Sequence, residues 1–195
     1  MVVALGILGV LGGGALRPAR ADVPPEGRRQ FDAAVAIEAP TGSLPLGTAV
    51  PVALPDDWAR SRPQFEGEVR YRIAFAPPGP TASKDGPSAL WIERACGLVG
   101  VTVNGQVLQR AARTPAESAG RCAPRLFTLP DALLDRSGHN VVEITLAGPP
   151  LRRLPAREFS ASLSRVTVGD GARLEADRAR QAFLADRGRS SPRPS

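Results

Sequence analysis

The sequence predicts an all-β, antiparallel β-sandwich, and three observations carry that reading. Val99, Val101 and Val103 alternate with Gly100 and Thr102, run into Asn104-Gly105, and are followed by Val107-Leu108. That is strand, two-residue type I′ turn, strand. Val69, Tyr71, Ile73 and Phe75 alternate with Arg70, Arg72 and Ala74, the period of a half-buried strand. The third is composition: 20 Gly and 20 Pro in 195 residues, with 43% hydrophobic and 23% charged side chains, suit many short strands joined by turns. A lone hairpin is marginal in water. The strands must therefore stack in two layers, with Tyr71, Ile92, Val103 and Ile144 meeting between them.

The elements follow in order. Residues 1–21 read as a secretory signal: Val2 to Leu16 is apolar and too short to span a bilayer, and Ala19-Arg20-Ala21 is a small-x-small cleavage pattern. No Lys or Arg lies between Met1 and the apolar run, so an uncleaved anchor in the inner membrane is the alternative. Export in a bacterium implies the periplasm. Residues 22–45 form an extension with a first strand at Phe31–Glu38. The sandwich proper is assigned to residues 46–170. It opens with an irregular edge strand over Leu46–Leu54, where Pro51 removes a ladder donor. Leu54-Pro55-Asp56-Asp57-Trp58 predicts a tight or helical turn, a carboxylate capping free N–H groups and Trp58 anchored in the core.

Strands are then predicted at Val69–Phe75, Ser88–Ala95 and the hairpin, followed by a long loop over Arg110–Pro124. Leu126-Phe127-Thr128-Leu129-Pro130 leads to one helical turn at Asp131–Leu134. Val141–Leu146 is a strand, and Ser160–Val168 is the last, with Val166 and Val168 out of phase with Ala161 and Leu163. Residues 171–186 suit a weakly docked helix, with Leu174, Phe183 and Leu184 its large apolar groups, and residues 187–195 suit a disordered tail. Cys96 and Cys122 flank the hairpin and its loop. A bridge between them would pin that loop to the sheet, while the 26-residue spacing fits no CxxC redox or zinc pattern. Two buried thiols are the alternative.

Several ordered motifs carry a resemblance: Leu54-Pro55-Asp56-Asp57-Trp58, then Val69-Arg70-Tyr71-Arg72, then Val101-Thr102-Val103-Asn104-Gly105, then Phe127-Thr128-Leu129-Pro130 with Leu133-Leu134 and Gly138-His139-Asn140-Val141-Val142. Together they resemble the galactose-binding-like jelly-roll domains. One branch is the N-terminal extracytoplasmic domain of bacterial sensor histidine kinases and diguanylate cyclases. The other is the sugar-binding domain of glycoside hydrolase family 2. The sensor branch implies membrane spans and an output domain after the helix. Arg165-Val166-Thr167-Val168-Gly169-Asp170 is similar to the segment that precedes those spans. On that reading the chain is a truncated portion of a membrane signalling protein, or a stand-alone exported copy. Either branch implies a non-catalytic domain with a carbohydrate-like ligand.

Charge placement argues against nucleic acid. Residues 40–150 hold 11 basic and 10 acidic side chains, and residues 151–195 hold 10 and 5, so the excess lies outside the predicted sandwich. A basic stripe with interleaved aromatics is missing. A single histidine, His139, offers no metal set and suits a surface turn; no metal or cofactor is predicted. Asp56-Asp57 and Glu66/Glu68 suit a turn and a loop better than a glycosidase pair held about 5–10 Å apart across a cleft. Asn104 reads as a turn residue. The binding candidates are Arg70 and Arg72 on one strand and Trp91 and Glu93 on another, all facing away from the core. A Trp beside Arg and Glu can stack a sugar ring and hydrogen-bond its hydroxyls. The competing reading pairs Arg with Glu across strands and covers Trp91 with a loop or a neighbouring domain.

Overall fold

A computed structural model describes residues 28–41, 47–76, 86–111, 122–148 and 160–189. The signal segment and residues 190–195 lie outside them. The elements run β1 (Arg29–Phe31), β2 (Ala33–Pro40), β3 (Val50–Ala53), β4 (Asp56–Asp57), α1 (Trp58–Ser61), β5 (Gly67–Phe75), β6 (Ser88–Cys96), β7 (Leu98–Val103), β8 (Gln106–Gln109), β9 (Ala123–Leu129), a 3-10 turn (Asp131–Leu133), β10 (Asn140–Ala147), β11 (Ser162–Leu163), β12 (Val166–Asp170) and α2 (Gly171–Arg189).

The strands make two antiparallel sheets. One has the order β3-β2-β5-β10-β7-β8. The other has the order β1-β12-β6-β11-β4, with β9 on the free side of β6. Alternation decides which residues enter the space between them. Val69, Tyr71, Ile73 and Phe75 of β5, Val142, Ile144 and Leu146 of β10, and Val99, Val101 and Val103 of β7 meet Leu90 and Ile92 of β6, Leu163 of β11 and Val166 and Val168 of β12. The predicted quartet of Tyr71, Ile92, Val103 and Ile144 sits there without exposure.

The hairpin forms as expected, with Asn104 at φ 49° and Gly105 at φ 80°. The out-of-phase last strand is two short strands: β11 pairs with β4 and the end of β6, and β12 pairs with the start of β6, with Ser164 and Arg165 between them. The first strand likewise divides at Asp32 into β1, which joins β12, and β2, which joins β5. Several boundaries differ from expectation: the edge strand β3 is confined to Val50–Ala53, and β1 and β2, predicted as an extension ahead of the sandwich, are strands of its two sheets. β9 starts at Ala123, inside the predicted loop, because it pairs along β6 from Ala95. The helix runs to Arg189 rather than 186, into the stretch predicted as a disordered tail.

β6 and β7 are nearly contiguous yet belong to different sheets. Gly97, at φ +114°, makes the crossing, and a Cβ there would lie 2.7 Å from the Ala147 carbonyl oxygen. The chain returns to the first sheet it left at Cys122, which is disulfide-bonded to Cys96 with their Cα atoms 4.1 Å apart. The bridge therefore ties β9 to β6 at the base of the excursion that makes β7 and β8. Replacing both cysteines by Ala is expected to lower stability by about 3–4 kcal/mol, the loop-closure value for this separation. Urea unfolding of the double variant, with circular dichroism to show that the β-signature persists, checks it.

Candidate functional site

Four polar constellations stand out on this frame: a buried knot that joins the two sheets, a clamp at the hairpin, the outer face of the β5 sheet, and the outer face of the β6 sheet.

The knot begins at the Leu54–Pro55 peptide, which is cis, and is built from the two aspartates that follow it. Asp57 caps α1, accepting from the Ala59 N–H at 3.1 Å, as the sequence suggests. Asp56 turns inward and is 5% exposed. Its Oδ2 accepts from the Tyr71 hydroxyl at 2.7 Å and from Arg62 Nη1 at 2.5 Å, and its Oδ1 from Ser61 Oγ at 2.6 Å. Trp58 Nε1 donates to the Tyr71 oxygen at 2.7 Å, and Arg62 Nε donates to Glu38 at 2.6 Å. Burial pushes the Tyr71 phenol far above its usual range, so it stays a donor toward Asp56. Burial opposes the charge on Arg62, but the hydrogen bond to Glu38 and the Asp56 carboxylate outweigh it and raise its pKa. Each buried polar group of the knot has a partner, so its chemistry is that of a clamp. Of the two carboxylates, that of Asp57 is the one that caps, and that of Asp56 bonds to side chains only.

A second clamp holds the hairpin. Asn104 Nδ2 donates to the Leu133 carbonyl at 2.7 Å and to Asn140 Oδ1 at 2.8 Å, while its Oδ1 accepts from the Val141 N–H at 2.8 Å. Asn140 is fully buried and also binds Asp135 through the backbone in both directions. Asn104 is thus more than a turn residue. His139 lies exposed on that turn, its Nδ1 3.0 Å from Ser137 Oγ. Two hydrogen bonds from Ser137, side chain and backbone, hold the Asp135 carboxyl below its usual range.

Arg70 and Arg72 lie on the outer face of the β5 sheet. One cross-strand row there reads Val35, Arg72, Glu143, Thr102 and Val107. The next reads Ile37, Arg70, Thr145 and Gly100. Arg72 Nε is 3.6 Å from Glu143, and Arg70 Nε is 2.9 Å from Glu68. Val35 and Val107, at 39% and 54% exposed, flank the first row. Ala111 lies over this face at Gly100.

Trp91 and Glu93 belong to β6, in the other sheet. The four candidates therefore do not form one site: they stand on opposite outer faces of the sandwich. Trp91 does face away from the main core, but it is 2% exposed and packs with Ala89, Leu126 and Leu174 beneath α2. The cover is a helix of the same chain. Arg28 stacks above its ring, 5.9 Å from the centroid. Glu93 is half-buried, and the arginines of β5 pair with Glu68 and Glu143 instead. No group of His, Cys, Asp and Glu suited to a metal occurs among the described residues. No described helix is long and apolar enough to cross a membrane.

No protein-family model matches the sequence, and no curated protein matches it. Solved structures do match it. An FMN-binding β-glucuronidase from Faecalibacterium prausnitzii L2-6 superposes with a TM-score of 0.52 at 16% identity, over 73% of this chain and 22% of that one. A β-glucuronidase from Ruminococcus gnavus in complex with D-glucaro-d-lactam gives 0.50 at 12% identity, over 74% and 30%. One from Bifidobacterium dentium gives 0.48 at 16%, over 74% and 30%. At these identities the likeness is one of fold, and the chain spans less than a third of the length of these enzymes.

Two outcomes are expected. Tyr71→Phe leaves Trp58 Nε1 without an acceptor and Asp56 short of a donor, and should cost about 2–4 kcal/mol in urea unfolding. A carboxyl whose pKa is depressed by folding contributes stability that is full above the unfolded value and lost as pH falls through the folded one. An NMR titration should therefore place the Asp135 midpoint below the ordinary aspartate value, with the Ser137 amide losing its protection against exchange as pH falls through that midpoint.

Proposed function

We propose that the chain is a non-catalytic, carbohydrate-binding β-sandwich domain of the kind that accompanies glycoside hydrolases of family 2, with its ligand on the outer face of the β5 sheet. The observation that carries this reading is the row Arg72, Glu143, Thr102. It sets a guanidinium, a carboxylate and a hydroxyl side by side on the outer face of one sheet, with Arg70 and Thr145 in the adjacent row. Sugar hydroxyls donate and accept at once, and alternating donors and acceptors meet that need. Val35 and Val107 at the flanks offer apolar contact to the C–H side of a ring. The β-sandwich shared with the glucuronidases supports the reading at the level of fold.

Export to the periplasm is part of the proposal and rests on residues 1–21 together with the Cys96–Cys122 bridge, since disulfides persist in oxidising compartments. The other reading, a sensor input domain of a membrane signalling protein, draws on α2, which leaves β12 and runs on for 19 residues. Its ligand face would be the same.

The test is a glycan array of neutral and acidic oligosaccharides, with titration calorimetry on any hit. At least one glycan should bind the wild-type chain; Arg72→Ala should weaken it about tenfold, one lost charge-assisted hydrogen bond, and Thr102→Val by about threefold, one lost neutral one. Both positions are surface sites, so the folded state should survive each change. No bound glycan, or binding that neither variant alters, would overturn the assignment.

A further inference from the structure

Four buried side-chain atoms lack a hydrogen-bond partner among the described residues, and three of them gather where α2 meets the β6 sheet. They are Trp91 Nε1, Thr167 Oγ1 and Asp170 Oδ2. Thr167 stands directly across from Trp91, so the two share the outer face that α2 covers. Asp170 ends β12 and caps the helix, its Oδ1 accepting from the Arg173 N–H at 2.9 Å. It is 4% exposed. A buried polar atom without a partner costs free energy, and a ligand that supplies the partner recovers it.

Asp170 borders open space. A cleft of about 300 Å³ lies between α2 and Arg28, with Asp170, Leu174, Ala176, Asp177 and Arg180 in its walls. Two of its wall residues also cover Trp91. Leu174 packs on the indole, and Arg28 lies 5.9 Å from the ring centroid. A molecule in the cleft is therefore one side chain away from the indole.

The missing bond defines the ligand. Asp170 Oδ2 is an acceptor, so what it lacks is a donor. The arginines of the walls do not call for an anion: Arg28 reaches Asp177 at 2.7 Å, Arg173 has a partner too, and Arg180 is exposed to solvent. A carboxylate brings no donor and would face Asp170 and Asp177. An ammonium would satisfy Asp170 but lie beside the guanidiniums of Arg28 and Arg180. An uncharged hydroxyl donates without adding charge of either sign. Leu174 and Ala176 offer contact to the carbons that carry it.

We propose that this cleft binds a small uncharged polyol, up to the size of a monosaccharide, through a hydroxyl that donates to Asp170 Oδ2. The site uses neither Arg72 nor Thr102 and belongs to the other sheet, so it can hold or fail apart from the carbohydrate reading of the β5 sheet.

The chain has two tryptophans, so its NMR spectrum carries two indole N–H peaks. That of Trp58 is bonded to Tyr71 in the knot, while that of Trp91 has no partner. The full chain is titrated with glucose and with inositol. At least one should move the Trp91 peak saturably and leave the Trp58 peak still. Fully O-methylated glucose, which keeps its oxygens but has no donor, should not, nor should propionate or propylammonium. Asp170→Asn keeps the helix cap but puts a donor where the accepting oxygen was, and should weaken binding about tenfold. Ala176→Leu, at an exposed helix position, fills the cleft. It should abolish the response, and it decides the matter if Asp170→Asn does not fold. Arg72→Ala should change nothing; a loss there would place the polyol on the other sheet and overturn the proposal. So would a drift that never saturates, an equal response to the O-methylated sugar, a response to propylammonium in place of the polyols, or unaltered binding in the folded Asp170 and Ala176 variants.

Discussion

The hydroxyl of Tyr71 stands between the two sheets and satisfies both. It receives the indole N–H of Trp58 and gives its own proton to Asp56, one residue from the β6 sheet meeting one from the β5 sheet. Arg62 completes the arrangement by neutralising Asp56 and reaching back to Glu38 on β2. Inside a protein such a group is favourable only when every member is paired. The apolar interior would tolerate small shifts of one sheet over the other; this knot would not. The relative position of the sheets, and so of everything displayed on their outer surfaces, follows from it.

The two outer surfaces have different characters for a reason traceable to α2. Over the β6 sheet, Leu174 is the one described α2 side chain that is buried, and its packing on Ala89, Trp91 and Leu126, with the Arg28–Asp177 ion pair, holds the first turns of the helix. The later turns carry Phe183 and Leu184 in the open, at 57% and 60% exposed. On the outer face of the β5 sheet, among the described residues, the rows are polar, with Arg72 exposed and Arg70, Thr102, Glu143 and Thr145 half-buried.

The sequence made one kind of information plain and hid another. Period-2 alternation in β5 and β10 told inward from outward at Tyr71, Ile73, Ile144 and Leu146, and those side chains are where the alternation put them. The Asn104-Gly105 turn was equally readable, because few dipeptides accept two positive φ angles. Alternation cannot say which sheet a strand joins, however. Arg72 and Trp91 share an outward parity but belong to different sheets, a fact set by the crossing at Gly97 and by pairings far apart in sequence. Likewise, nothing local distinguishes Asp56 from Asp57 until Tyr71 arrives from fifteen residues away, and the weak apolar content of α2 gave no sign that it would roof Trp91.

The bridge at the base of the β7–β8 excursion has a topological consequence. Cys96 and Cys122 make the stretch between them a closed ring hung from two adjoining strands. A protease that severed the backbone at any one bond inside that ring would yield no separable fragments under oxidising conditions. The nicked molecule would keep its mass but for one added water, with the β5 and β10 ladders still covalently connected. Parting the halves would take a reductant together with unfolding, since β6 still pairs with β9 and β5 with β10, so this domain can be clipped there without being released.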